Sequence, residues 1–151
     1  MATGGEVIEA ARWHREELRE AIMELEAAVA SASRAPSWVA GLEHPVERLQ
    51  AALSHHISEV ESTEGFITKI LEHAPRLTSH AEMLHADHRR LAVQTRQVLE
   101  LFHGFGGKPD TAGVAALRDA VLELLAQLSQ HRRQGVDLVY DAYNVVIGGQ
   151  A

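Results

Sequence analysis

The sequence predicts an all-α protein, an up-down-up-down four-helix bundle formed as a single domain over residues 1–151. Three observations predict it. Four long segments carry apolar residues at three- and four-residue steps, the period of one helix face. No segment shows the two-residue alternation of a half-buried strand. The connections between the periodic segments are fairly short and punctuated by Pro, Gly and Ser, as turns between bundle helices are.

The first predicted helix runs from about Val7 to Ala32. Its stripe is Ala11, His14, Leu18, Ile22, Leu25 and Val29, so His14 stands in a slot that would otherwise be apolar. The segment SRAPSWVAGLEHP then reads as a loop, with Trp38 and Val39 pinning it to the bundle. The second helix is expected to start near Pro45, a residue that suits a first helical turn. Its stripe is Val46, Leu49, Leu53, His56, Val60, Thr63, Ile67 and Ile70, and it ends before Pro75. Gly65 falls inside it, at a cost of about 1 kcal/mol relative to Ala, which points to close packing or a local bulge.

The third helix is expected over Ser79–Phe102, with Ser79 and Glu82 at capping-box spacing. After the loop HGFGGKPDTAG, the fourth runs from about Gly113 to Val146. Val114, Leu117, Val121, Leu124, Leu125, Leu128 and His131 lie on or beside one face of it.

Composition excludes several classes of function. A net charge of −7 argues against nucleic acid and against an anionic membrane surface as partners. No apolar run approaches a membrane span, and the N-terminus has neither the basic region nor the apolar stretch of a signal peptide. The absence of Cys fits a reducing, cytoplasmic setting. Ten histidines are an excess that needs a reason.

The rise of about 1.5 Å per residue places His14, His85, His88, His131, Glu59, Glu61 and Asp137 at similar depth, within roughly two turns, in an up-down bundle. His44, His73, His80 and His103 fall at predicted ends or loops. Burying several ionisable groups at one depth without a partner costs several kcal/mol apiece, so a metal centre is the economical reading. The donors are nitrogen and oxygen only, which suits iron better than a structural zinc site. His14, His56, Glu61, His88, His131 and Asp137 are the candidate ligands, with Glu59, His85 and Tyr140 as further candidates. His55 is expected to point about 100° away from His56, toward the surface.

These residues resemble the hemerythrin-like, or HHE cation-binding, family across nearly the whole chain. The likeness rests on His14 in WHREEL, His56 and Glu61 in HISEVESTEGF, Asp87, His88 and Leu91 as an acidic-His-x2-Leu signature, and His131 and Asp137 in HRRQGVDLVYDAY. His55 with Glu59 offers the family's His-x3-Glu spacing as an alternative register. Within the family the chain looks most like the actinobacterial and mycobacterial members. The resemblance implies two non-haem iron ions in an oxo-bridged diiron centre, held by five histidines and two bridging carboxylates.

Two departures stand out: Leu84 occupies the place of a histidine four residues before His88, and the fourth helix has His-x5-Asp where His-x4-Asp is usual. The vacancy is open to His85, to water or to Tyr140, which follows Asp137 by three residues. The implied function is binding and detoxification of small oxidants (hydrogen peroxide, nitric oxide, dioxygen) by a monomer or weak dimer with an unknown reductant, rather than oxygen carriage. Iron or oxygen sensing or storage is the alternative, and a metal-free helical interaction module a third reading. Sensors usually carry an output domain, and the reading of residues 1–151 as a single domain expects none here.

Overall fold

The structure, a computed structural model, describes residues 4–31, 36–62, 65–105 and 109–148, with side-chain surroundings for 15–31, 38–62, 65, 67–105 and 109–135. Every long element is a helix, and no strand occurs among the described residues. The order is α1 (Gly4–Ala30), α2 (Pro36–Glu61), α3 (Phe66–His73), a 3-10 turn (Pro75–Leu77), α4 (Thr78–Gly104) and α5 (Thr111–Gly148). The principal packing pairs are α1 on α2, α2 on α4 and α4 on α5. No described helix is long and apolar enough to cross a membrane.

Among the described residues, the stripes read from the sequence lie on the buried faces. Leu18, Ile22, Leu25 and Val29 of α1, Leu49 and Leu53 of α2, Leu91 and Val98 of α4, and Leu117, Val121, Leu124 and Leu128 of α5 form one apolar core. A second, smaller cluster joins Val60, Ile67, Ile70, Ala74, Leu77, Ala81 and Leu84 from the end of α2, α3, the 3-10 turn and the start of α4.

Three expectations about local structure are corrected. The segment before Pro45 is helix, not loop: α2 begins at Pro36 and contains Pro45. An interior proline forfeits one backbone hydrogen bond and costs about 3 kcal/mol. Trp38, Val39 and Leu42 extend the apolar stripe one helical turn and more ahead of Val46, and all four are buried; their burial outweighs the local propensity. His44 consequently lies inside α2, exposed on its outer side, rather than at a helix end.

The second predicted helix is broken between Glu61 and Phe66. Gly65 is the reason: a Cβ there would sit 2.3 Å from the Glu59 carbonyl oxygen and 2.7 Å from that of Val60. The chain folds back against the end of α2, Gly65 N–H donating to Ser62 O at 2.9 Å and Thr68 Oγ1 donating to the same oxygen at 2.9 Å. Close packing at Gly65 is as expected, but the helix does not pass through it.

The Ser79–Glu82 capping box is absent. α4 starts at Thr78 with no side-chain cap, and Thr78 Oγ1 donates to Pro75 O at 2.6 Å. The preceding 3-10 turn already leads the backbone into α4, which leaves Ser79 exposed within the first turn.

Candidate metal centre

Three of the histidines that replace apolar stripe residues meet in the core. His56 follows Leu53 by three residues and precedes Val60 by four; His88 stands between Leu84 and Leu91; His131 follows Leu128 by three. The spacing puts each imidazole on the buried face of its helix. His56, His88 and His131 are 8%, 2% and 5% exposed. One potential ligand nitrogen from each lies within 4.8 Å of the others, a group able to hold a metal ion. The ring centroids are 4.6 Å apart for His88–His131, 5.4 Å for His56–His88 and 6.2 Å for His56–His131, all edge-on.

Carboxylates flank the group. Glu61, the last residue of α2, places Oε1 at 3.0 Å from His88 Nδ1 and 3.3 Å from His85 Nδ1. With the carboxylate accepting, His88 carries its proton on Nδ1 and leaves the Nε2 lone pair for a metal. The break after Glu61 frees this side chain from a continuing helix face. Asp87, buried at 4% exposure, accepts from Arg90 through Oδ1 at 2.6 Å and has Oδ2 at 3.5 Å from His131 Nδ1.

Burial keeps His88 and His131 in the ligand form. Burial, reinforced by the neighbouring His131 and His85, pushes the pKa of His88 down to about 3. Burial also lowers that of His131, against the pull of Asp87. Neutral imidazole is the form that binds first-row metals. A nitrogen-to-metal bond of about 2.1 Å needs nitrogens roughly 3.0–3.4 Å apart, so only a modest closing of the group is required. Three buried imidazoles, with two carboxylates nearby, therefore form a group that could hold a metal ion through nitrogen.

The remaining candidates divide. His85 is half-buried and reaches the site through Glu61. His55 is turned outward, 57% exposed, with Nδ1 at 2.9 Å from Glu17 Oε1. Glu59 is half-buried on α2 and outside the three-histidine group. His14, Asp137 and Tyr140 lie outside the residues whose side chains are described. Of the peripheral histidines, His73 and His103 are exposed, while His80 places Nε2 at 3.2 Å from the Gln134 carbonyl.

Asp87 was missed as a site residue, having entered only as part of a signature. Its signal was present: it follows Leu84 by three residues and precedes Leu91 by four, the same stripe spacing that marks the histidines. No family model matches the chain, and no curated protein and no solved structure matches it either.

Proposed function

We propose that the chain is a non-haem diiron protein of the hemerythrin-like kind, built as an up-down-up-down four-helix bundle, that binds and detoxifies hydrogen peroxide, nitric oxide or dioxygen. The observation that carries this reading is the convergence of His56, His88 and His131, all buried, on one point of the core beside Glu61. Without a bound cation, three imidazoles and a buried carboxylate in one layer cost stability that Leu at the same slots would not.

Bound iron would supply the redox chemistry with the small oxidant. His56, His88 and His131 would hold one ion through neutral nitrogens, and Glu61 would offset its charge while keeping His88 in the Nε2-binding tautomer. His14, Asp137 and one of His85 and Tyr140 are the residues proposed to complete the pair. Leu53 and Val60 on α2, and Leu84 and Leu91 on α4, lie one turn either side of the histidines and limit water.

Metal analysis of the purified chain, with its absorption spectrum, tests the reading. Close to two iron ions per chain, a near-ultraviolet oxo-to-iron band and a melting temperature raised by added iron are expected, because a ligand bound only by the folded state stabilises it. A chain that folds without metal and gains nothing from iron refutes it. Consumption of peroxide or nitric oxide by the loaded protein, without reversible oxygenation of the reduced form, separates detoxification from oxygen carriage.

A further inference from the structure

Asp87 is a carboxylate in the core that the ligand set above does not use. Only 4% of it is exposed, and burying an ionised carboxylate is costly unless each oxygen finds a donor. Both do. Arg90, one turn further along α4, donates to Oδ1 at 2.6 Å from a guanidinium that is itself 57% exposed. Oδ2 is turned across to α5, 3.5 Å from His131 Nδ1. The arginine thus decides which oxygen meets the histidine.

We propose, resting on the metal reading above, that Asp87 is a positioning residue for His131: clamped by Arg90, it accepts the Nδ1 proton and holds the imidazole in the tautomer whose Nε2 lone pair binds the metal. A ligand histidine is ordinarily oriented in this way, by an acceptor on its other nitrogen. At 3.5 Å the contact is long. A cation on Nε2 makes the Nδ1 proton more acidic and so draws the pair together. The arrangement parallels that of His88 and Glu61, where the same nitrogen faces a carboxylate at 3.0 Å.

The geometry makes an unusual demand on the isosteric variant. In Asp87→Asn, Arg90 is a donor, so the new amide keeps its oxygen toward Arg90 and turns its NH2 toward His131. An NH2 facing Nδ1 must donate to it. The proton of His131 is then forced onto Nε2, the nitrogen the metal needs. Adding Arg90→Ala releases the amide to flip, present its oxygen to His131 and restore the original tautomer.

The experiment uses the 15N-labelled full chain, metal-free for two-bond 1H–15N spectra of the histidine rings, then titrated with Co(II) alone. In the unaltered chain His131 should be the Nδ1–H form. Asp87→Asn should convert it to Nε2–H and weaken Co(II) binding about 10–100-fold with the helical circular dichroism unchanged. The double variant Asp87→Asn, Arg90→Ala should regain the Nδ1–H form and most of the affinity, which loss of a structural contact or of a direct ligand would not allow. An Nε2–H tautomer in the unaltered metal-free chain, unchanged affinity in Asp87→Asn, or no recovery in the double variant overturns the proposal. If the unaltered chain takes up no Co(II), the metal reading falls, and the ring tautomer alone then decides the role of Asp87. Should Asp87→Asn fail to fold, the tautomer of the unaltered chain is likewise decisive.

Discussion

The two apolar clusters on either side of the histidine layer do different work. Toward one side lies a continuous core drawn from α1, α2, α4 and α5, with Leu25, Leu49, Leu91, Leu124 and Leu128 fully inaccessible. Toward the other lies a patch whose seven buried members among the described residues come from the stretch between Val60 and Leu84. His56 stands between Leu53 of the first and Val60 of the second, and His88 between Leu91 of the first and Leu84 of the second. The polar layer is therefore the seam between them. Among the described residues the large cluster ties together elements distant in sequence and buries the greater share of apolar side chains. The described part of the small one is local, and its consequence is positional: it holds the turn after Glu61, and with it the carboxylate that meets His85 and His88. Stability and site geometry are separable to that extent.

Equal truncations on the two sides break the comparison most directly. Leu124→Ala, in the large cluster, should cost about 2–5 kcal/mol. Thermal melting should show it, with metal uptake per folded chain retained. Ile70→Ala, in the small cluster, should lower the melting temperature less and metal affinity more. The reverse pattern would show that the clusters are one cooperative unit.

The seam itself has a pH signature in the metal-free chain. His88 titrates at its ordinary value, about 6.5, when unfolded and near 3 when folded. Between those values the unfolded state binds the extra proton, so stability is complete above about pH 6.5 and falls as pH drops. The slope approaches 1.4 kcal/mol per pH unit for this group, with His131 adding in the same direction. Denaturant melts at pH 7 and 5.5 should show the drop, and His88→Gln should flatten it. An equal slope in the variant would exclude a neutral buried His88.

Gly65→Ala tests whether the small cluster positions Glu61. The new methyl group meets two carbonyl oxygens inside contact distance, so the turn must shift. Overpacking of this kind costs about 1–3 kcal/mol. Its larger sign should be weakened metal binding, measured by titration, since Glu61 moves with the turn. Normal metal affinity in a destabilised variant would detach the turn from the site.

How much of this was legible in the sequence follows from the same division. The large cluster was readable because long helices repeat their apolar residues many times, and His56, His88 and His131 were readable as interruptions of that repeat. The break at Gly65 was not, because it depends on a backbone approach to Glu59 and Val60 that no periodicity records. Pro45 misled in the opposite sense: local propensity favoured a helix start, and the burial of Trp38, Val39 and Leu42 overrode it. Asp87 was hidden by its neighbour, since two adjacent residues share the inner edge of one stripe and His88 drew the assignment.

Within the layer, Glu61→Ala should reduce metal affinity at least tenfold, about 1.4 kcal/mol, because the residue contacts two of the histidines at 3.0 and 3.3 Å. Glu59→Ala, two residues earlier and outside the three-histidine group, should change it little. Metal titrations of the two variants side by side decide which carboxylate serves the site.

The smallest effect is the sharpest test of register on α2. His55 and His56 are adjacent, and a shift of one residue would exchange their roles. The structure turns His55 outward to Glu17, where it is 57% exposed. With the imidazole protonated this contact is an exposed ion pair, which contributes roughly 0–1 kcal/mol and is screened by salt. His55→Ala should therefore leave metal affinity unchanged and lower stability by less than about 1 kcal/mol, the loss fading at high salt. His56→Ala should remove one of three converging nitrogens and weaken metal binding strongly. Metal titration and melting of the two variants at low and high salt measure both. Strong metal loss in His55→Ala with little in His56→Ala would mean that α2 presents its other edge to the core, with Glu59 in place of Glu61 beside α4.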